Sequence, residues 1–323
     1  MKLLPNKSNS GVALIIVLIS MVSLSILAGI FAFRMKVEAR LAMNSNNDTE
    51  MEWMGRSGAE AAKWLLAQEM QAGCPDSLAS VWAGGTGGPC PGISNSPIAE
   101  IHLPWTIPLG NGEVTVQPME DLERKANINT APEGMLEQAL VLMGVDAGEY
   151  PVIVNSILDW IDQDDAERPQ GAETDYYESL EWSYPAKNGP IDDISELQLI
   201  QGMTPDLYWG PKSENYVPSH LRKDSSRRLG FEADTPVYPV GFVDLFTPLS
   251  IGKININTAP VEVLQLLPGV DEHAASEIIR LRSGFDVGFG QQEPIPFRNP
   301  GEIINAGLNP AVVQQVLAWL GDE

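Results

Sequence analysis

A dense group of acidic side chains is the part of this chain best suited to chemistry. The segment that begins at Asp159 reads DWIDQDDAERPQGAETDYYESLEWSYP. Its crowded carboxylates, with Arg168 as the one basic side chain in the segment, are Asp159, Asp162, Asp164, Asp165, Glu167, Glu173 and Asp175. Carboxylates this dense repel one another unless they share a cation, and ligand sets made only of oxygen favour calcium. The segment therefore predicts either a calcium site, with a spacing unlike that of an EF-hand, or a solvated acidic loop.

The helices that must position this segment follow a repeated six-residue word. NINTAP occurs at residues 127–132 and again at residues 255–260. Each copy predicts a helix start with Thr130 or Thr258 as N-cap and a proline in the first turn, and Glu133 predicts a capping box in the first copy. Two apolar helical segments joined by a tight turn follow each word, which is a helix-hairpin-helix arrangement. The repeat thus predicts a duplicated helical domain, with the acidic segment inserted in its first copy.

The start of the chain predicts a membrane span. Residues 12–33 contain no charge and no proline, and as a helix they extend about 33 Å, the thickness of a bilayer's hydrocarbon core. Charged residues follow directly in place of a small-x-small cleavage site, so the segment is expected to stay with the protein. Apolar residues continue at helical spacing to about residue 71, which predicts one continuous helix.

Between this helix and the first NINTAP word, the sequence predicts a small antiparallel sheet and a cysteine loop. Asn111-Gly112 is a hairpin turn signal between two segments of alternating polarity. Cys74 and Cys90 flank a segment rich in glycine and proline; they are expected either to close a disulfide loop worth about 3 kcal/mol or to remain two buried thiols. A polar connector with a basic cluster follows residue 210, and residues 237–246 predict a further strand.

The leader of this chain resembles that of type IV prepilins. A short polar segment with Lys2 and Lys7 ends in Gly11, directly before the apolar run. The resemblance implies cleavage between Gly11 and Val12 by prepilin peptidase, and methylation of the new amino terminus. Pilin-like proteins usually carry a glutamate five residues into the mature chain, where this sequence has Ile16. The member that habitually lacks this glutamate is the minor pseudopilin called general secretion pathway protein K.

The acidic segment is also similar to that of the protein K family, which has a DWID-x-D…GAE-x-x-Y segment and binds calcium in this domain. The resemblance implies that Asp162, Asp164, Glu173 and Asp175 are calcium ligands. It implies an α+β fold with a pilin-like N-terminal transmembrane helix, a small antiparallel sheet and a duplicated helix-hairpin-helix (SAM-like) α-domain. The expected divisions are a leader at 1–11, a spine helix at 12–71, a β region with the cysteine loop at 72–126, helical modules at 127–209 and 255–323, and a linker with a strand at 210–254.

The function implied by the resemblance is that of a minor pseudopilin of the type II secretion system. Such a protein caps or initiates the periplasmic pseudopilus tip for export of folded proteins through the outer-membrane secretin. The implied partners are other minor pseudopilins, the major pseudopilin and prepilin peptidase. The implied location is the inner membrane, crossed once, with the globular domain in the periplasm. No enzymatic activity is expected, because the three histidines are scattered and neither a Gly-x-Ser-x-Gly word nor zinc-ligand spacing occurs.

Composition weighs against the alternative, a membrane-anchored helix-hairpin-helix protein that binds or takes up DNA. Helix-hairpin-helix pairs often grip phosphate with backbone N–H groups and nearby lysine or arginine. In this sequence the turns carry Asp146, Asp271 and Glu272, and the formal net charge of the 323-residue chain is −23. A surface this acidic repels phosphate backbones, so no nucleic acid partner is expected.

Overall fold

The structure is a computed structural model that describes residues 10–88, 90–94, 96–213, 238–286, 290–291 and 294–321. Most of the predicted leader lies outside the described residues. So do the basic cluster of the predicted linker and Val237, the first residue of the strand predicted at 237–246.

Short helices and two-residue strands make up most of the regular structure in these residues. The α-helices are α1 Ser10–Ala72, α2 Pro91–Ser94, α3 Glu133–Met143, α4 Tyr150–Ile161, α5 Thr174–Glu178, α6 Pro205–Trp209, α7 Phe242–Leu245, α8 Val261–Leu264, α9 Glu272–Arg282 and α10 Pro310–Val316. The 3-10 helices are Val81–Ala83, Leu122–Arg124, Ile194–Leu199, Gly210–Lys212 and Pro300–Ala306. The strands are β1 Trp105–Leu109, β2 Gly112–Val116, β3 Ala126–Asn127, β4 Phe246–Thr247, β5 Ile254–Asn255, β6 Phe285–Asp286, β7 Gly290–Gln291 and β8 Leu320–Gly321.

The long helix α1 confirms that the apolar run continues without a break into the following charged segment. It spans 63 residues, and its uncharged part extends from Ser10 to Phe33. Within the described residues it is the one helix long and apolar enough to cross a membrane, with a mean hydropathy of 2.8 in its most apolar window. The predicted membrane span therefore coincides with a continuous helix.

The first of two compact units joins residues of α1 up to Trp64 with the hairpin residues 106–116. Strands β1 and β2 pair across the two-residue turn Gly110-Asn111, which confirms the predicted hairpin but places its turn one residue before Asn111-Gly112. Gly58 is buried, and a Cβ atom added there would lie 2.5 Å from Cγ1 of Val114. Glycine at this position therefore lets the strand approach the helix more closely than any side chain would allow.

The second unit contains residues 65–105 and 117–321, with a small hydrophobic cluster near its beginning. The buried members of this cluster are Leu65, Val81, Trp82, Ile93 and Ile98. The buried carboxylate of Glu69 accepts hydrogen bonds from the backbone N–H groups of Val81 at 2.9 Å and Trp82 at 3.3 Å. These bonds satisfy the start of the 3-10 helix Val81–Ala83, because its first N–H groups have no partner within the helix.

Both NINTAP copies contribute to one large hydrophobic core of the second unit, which extends from Ala126 to Leu320. A two-residue strand opens each copy. Strand β3 pairs parallel with β4, with Ala126 opposite Phe246, and strand β5 pairs parallel with β8, with Ile254 opposite Leu320. Each copy thus begins on a strand that pairs with a later segment of the chain.

The structure confirms that a helix begins directly after each NINTAP word, but the predicted N-cap residues are wrong. Helices α3 and α8 have Pro132 and Pro260 as N-cap residues, without a side-chain cap. Thr130 and Thr258 are therefore not N-caps, and the capping box predicted with Glu133 does not form. The reason is that the first asparagine of each word already turns the chain: Asn127 Oδ1 accepts the N–H of Asn129 at 2.8 Å, and the second copy repeats this turn.

The strand predicted at residues 237–246 is wrong for most of its length. Helix α7 occupies Phe242–Leu245, and only Phe246 and Thr247 form strand β4. Phe242 and Leu245 are both fully buried. Residues three apart lie on the same face of a helix, so this spacing places both side chains in the core.

Candidate metal site

The acidic segment closes a loop between helices α4 and α5. Asp159 lies in the last turn of α4, Asp162 is the C-cap of that helix, and Glu173 is the N-cap of α5. Oxygen atoms of these three carboxylates lie within 4.8 Å of one another. Two helix ends and the loop between them therefore bring together carboxylates that are up to fourteen positions apart in sequence.

The structure places two of the four predicted ligands in this cluster. Asp162 and Glu173 belong to it, whereas Asp164 and Asp175 are exposed side chains outside it. Asp164 Oδ1 instead accepts the backbone N–H of Ala166 at 3.0 Å. The third member is Asp159, which the predicted ligand set did not include.

The sequence position of Asp159 indicates a buried carboxylate, which the predicted ligand set did not take into account. It lies on the buried face of α4 with Ser156 and Trp160, and its side chain has no exposed surface. A carboxylate at a core position of an amphipathic helix is costly unless a positive group or hydrogen bonds accompany it. An aspartate in register with buried apolar residues therefore indicates a partnered site.

Arg168 is the positive partner within the described residues. Its Nη1 atom lies 2.7 Å from Oδ1 of Asp159 and also donates to Oδ2 of Asp162. Its backbone N–H donates to Oδ2 of Asp159 at 3.2 Å. The hydrogen bonds to Asp159 and then to Asp162 raise the pKa of Arg168 above its usual value. Arg168 thus binds Asp159 through both its main chain and its side chain.

Three carboxylate oxygens of this cluster have no hydrogen-bond donor among the described residues. They are Oδ1 of Asp162 and both Oε atoms of Glu173, and all three are buried. Glu173 is only 4% exposed. Burial, followed by the charges of Asp159 and Asp162, raises the pKa of Glu173 to about 7. Buried oxygens without donors are the donor set that a hard cation such as calcium requires.

Close backbone packing holds the cluster together. A Cβ atom on Gly171 would lie 1.9 Å from Oδ2 of Asp159, so no side chain fits at this position. Asp165 Oδ1 accepts hydrogen bonds from Oγ1 of Thr174 at 3.1 Å and from Nδ2 of Asn188 at 2.7 Å. The loop is therefore fixed at several points around the carboxylates.

Aromatic rings pack behind the loop. Trp160 lies edge-on to Tyr177 with ring centroids 5.2 Å apart, and Tyr177 stacks on Tyr184 at 5.4 Å. Burial raises the pKa of the Tyr177 hydroxyl, which accepts the backbone N–H of Gln201 at 3.3 Å. These contacts orient α4 and α5, and with them the carboxylates at their ends.

The remaining predicted site residues lie elsewhere in the chain. Cys74 and Cys90 form a disulfide with their Cα atoms 5.8 Å apart, and no free cysteine remains. Gly11, Val12 and Ile16 lie in the first turns of α1. The side chains of Val12 and Ile16 are about three-fifths exposed, at 59% and 61%.

Within the described residues, an N-terminal apolar helix, two-stranded sheets and a mostly helical second unit define a mixed helical protein with a candidate membrane span. Residues 118–210 match the family model described as Type II secretion system (T2SS), protein K. This match confirms the family resemblance of the sequence over that part of the chain. The matched residues include all three carboxylates of the candidate site.

Two known proteins are similar over longer parts of the chain. The Type II secretion system protein K of Pectobacterium carotovorum subsp. carotovorum is 26% identical over 204 residues, which cover 55% of this chain and 61% of the relative. The chain thus matches about three-fifths of that relative's length. A chain in the crystal structure of the GspK-GspI-GspJ complex from enterotoxigenic Escherichia coli has 18% identity and a TM-score of 0.46, covering 83% of this chain and 84% of that one.

Proposed function

We propose that this chain is a minor pseudopilin of a type II secretion system. The protein K match at residues 118–210 is the observation that carries the proposal. Helix α1 supports it, because a continuous apolar helix at the amino terminus is the element by which a pilin-like subunit is anchored in a membrane and packed in a filament. In this function the chain crosses the inner membrane once, holds its globular part in the periplasm and catalyses no reaction.

The proposed position is the tip of the periplasmic pseudopilus, where the chain caps or initiates the filament that exports folded proteins through the outer-membrane secretin. Prepilin peptidase cleaves after Gly11, and the new amino terminus at Val12 is methylated. Ile16 supports the tip position, because an isoleucine cannot form the charge pair that a glutamate makes with the amino terminus of the subunit ahead. A subunit with nothing ahead of it needs no such pair.

The proposed role of the helical modules is to form a bulky head that binds calcium. Two helix-hairpin-helix copies would crowd a continuous filament but are harmless at its end. The duplication is supported by the third residue of each NINTAP word: Asn129 hydrogen-bonds both backbone groups of Ile191, and Asn257 does the same with Phe297. DNA binding is not favoured, because the acidic surface repels phosphate.

The proposed cation site holds calcium between Asp159, Asp162 and Glu173. The donor set fits, since three buried oxygens lack donors among the described residues and all ligands are carboxylates. The bound ion would balance the repulsion between the carboxylates and order the loop between α4 and α5. Asp164 and Asp175 lie outside the cluster. They could complete the coordination only if the loop rearranges.

The experiment is purification of the membrane complex from cells that carry the matching secretion system. An affinity-tagged chain is solubilised in mild detergent, and the co-purifying proteins are identified by mass spectrometry. We expect the other minor pseudopilins as the main partners, with the major pseudopilin in smaller amounts. Recovery of DNA-uptake proteins, or of no pilin-like protein, would contradict the proposal. A chain that lacks residues 12–33 controls for contacts made outside the membrane.

A further inference from the structure

The position of Arg168 gives the candidate cation site a defined charge. Asp159, Asp162 and Glu173 carry three negative charges when they are ionised, and Arg168 carries one positive charge in direct contact with two of them. With all three carboxylates ionised, as cation binding requires, the cluster as a whole carries two negative charges. A divalent cation neutralises this charge, whereas a trivalent cation leaves an excess of one positive charge in a partly buried site.

We propose that Arg168 is a positioning residue that sets the charge of the site and thereby makes it selective for divalent over trivalent cations. This inference rests on the cation site of the proposed function. Calcium and terbium ions have similar sizes and both prefer oxygen ligands, so the size of the site discriminates poorly between them. The net charge of the cluster is then the property that separates them.

The hydrogen bonds of Arg168 leave a particular set of oxygens free. Its guanidinium group takes one oxygen each from Asp159 and Asp162, while Oδ1 of Asp162 and both oxygens of Glu173 have no donor among the described residues. Arg168 thus orients the aspartates without using every oxygen. It leaves three oxygens of the cluster available to a cation.

The main chain fixes the arginine as well. Its N–H binds Asp159, and its carbonyl oxygen accepts the N–H of Gly171 at 2.8 Å. Gly171 packs against the same aspartate, so two backbone positions of the loop contact this carboxylate. An arginine held at its backbone differs in this respect from a surface side chain that a metal ion simply pushes away.

The experiment measures calcium and terbium binding to the full chain in detergent. Calcium is followed by calorimetry, and terbium by luminescence sensitised through the nearby Trp160 and Tyr177. In Arg168→Gln the net charge falls to minus three, so the ratio of the calcium Kd to the terbium Kd should rise by about tenfold. Arg168→Lys keeps the charge and should leave the ratio close to that of the wild type. Arg280→Gln is the matched control, because Arg280 pairs with Glu277 and not with the cluster.

The ratio of the two Kd values separates this inference from a loss of folding, because a loss of folding weakens the binding of both ions together. An unchanged ratio in Arg168→Gln would overturn the inference, including the case in which the arginine merely competes with every cation and both ions bind more tightly. Asp162→Asn provides a second test, since it lowers the net negative charge to one and should shift the ratio in the opposite direction. Failure of the wild-type chain to bind calcium would overturn the proposed site itself.

Discussion

The side-chain amide of Asn129 binds both backbone groups of Ile191. Its Oδ1 atom accepts the N–H of Ile191 at 2.7 Å, and its Nδ2 atom donates to the carbonyl oxygen at 3.0 Å. Asn257 makes the same pair of bonds with Phe297, at 2.8 and 2.9 Å. Each asparagine is the third residue of its NINTAP word, so the word fastens a distant segment of its own copy to the start of that copy.

Replacing either asparagine by alanine should destabilise the second unit. Asn129→Ala and Asn257→Ala each leave an N–H and a carbonyl without their partner, which should cost about 2–3 kcal/mol in the free energy of unfolding. The loss should be larger for Asn257, because it is only 2% exposed. Denaturant unfolding followed by circular dichroism measures the effect. Asn305→Ala, an exposed asparagine in a 3-10 helix, is the control and should change stability by less than about 0.5 kcal/mol. Equal effects at the three positions would refute the anchoring role.

Replacing two glycines of α1 by alanine should change stability in opposite directions. Gly58→Ala places a Cβ 2.5 Å from Val114 Cγ1 and should displace the hairpin, at a cost of about 1–3 kcal/mol. Gly55 has no heavy atom within 4 Å of a Cβ among the described residues, so Gly55→Ala should stabilise the helix by up to about 1 kcal/mol. Hydrogen exchange at the amides of β2 reports the difference. Protection that falls equally in both variants would show that the hairpin does not depend on Gly58.

Asp76 should make the stability of the second unit depend on pH. Burial, with a smaller effect of the Asp121 charge, raises the pKa of Asp76 in the folded chain. A carboxyl group with a raised folded pKa stabilises the fold below its ordinary pKa, and this contribution is lost as pH rises through the folded value. Asp76→Asn keeps an acceptor for Nε1 of Trp82, which donates to Asp76 at 3.0 Å, and removes the charge.

The free energy of unfolding of Asp76→Asn should therefore fall less than that of the wild type between pH 4 and pH 7, values chosen to bracket ordinary carboxyl titration. Denaturant titrations at several pH values provide the measurement. Asp48→Asn removes an exposed carboxylate of α1 and serves as the control. Parallel curves for the wild type and Asp76→Asn would rule out this contribution.

Calcium should stabilise the chain through the three clustered carboxylates. A ligand at 100 times its Kd stabilises the fold by about 2.7 kcal/mol, which corresponds to a Tm increase of roughly 5–10 °C. Asp162→Asn and Glu173→Gln should each reduce the difference between melts with calcium and with chelator, because each removes one ligand charge. Asp175→Asn should retain it, because Asp175 lies outside the cluster. Loss of the shift in Asp175→Asn would instead favour the ligand set implied by the family resemblance.

Local signals made much of this fold predictable from the sequence. The apolar run gave the extent of α1 to within one residue of its end, and Asn111-Gly112 located the hairpin, because both patterns depend on neighbouring residues. Helix α7 was missed because two buried residues three apart are too short a pattern to distinguish a helix from a strand.

The composition of the candidate site was less predictable for a related reason. The acidic segment was evident, but which carboxylates meet depends on how α4 and α5 end against each other. Asp159 belongs to the cluster because it lies on the buried face of α4. Arg168 contacts Asp162 and Asp159, which precede it by six and nine positions in the chain. Asn129 and Asn257 likewise bind segments 62 and 40 residues away, contacts that no local pattern encodes.

The position of the chain in isolated pseudopilus filaments tests the proposed function most directly. A tag in the periplasmic part, labelled with gold and viewed by electron microscopy, should mark a single copy at one end of each filament. Ile16→Glu should permit some incorporation along the filament, because it restores the carboxylate that pairs with an amino terminus ahead. Uniform labelling along wild-type filaments, or filaments without any label, would contradict the assignment to the pseudopilus tip.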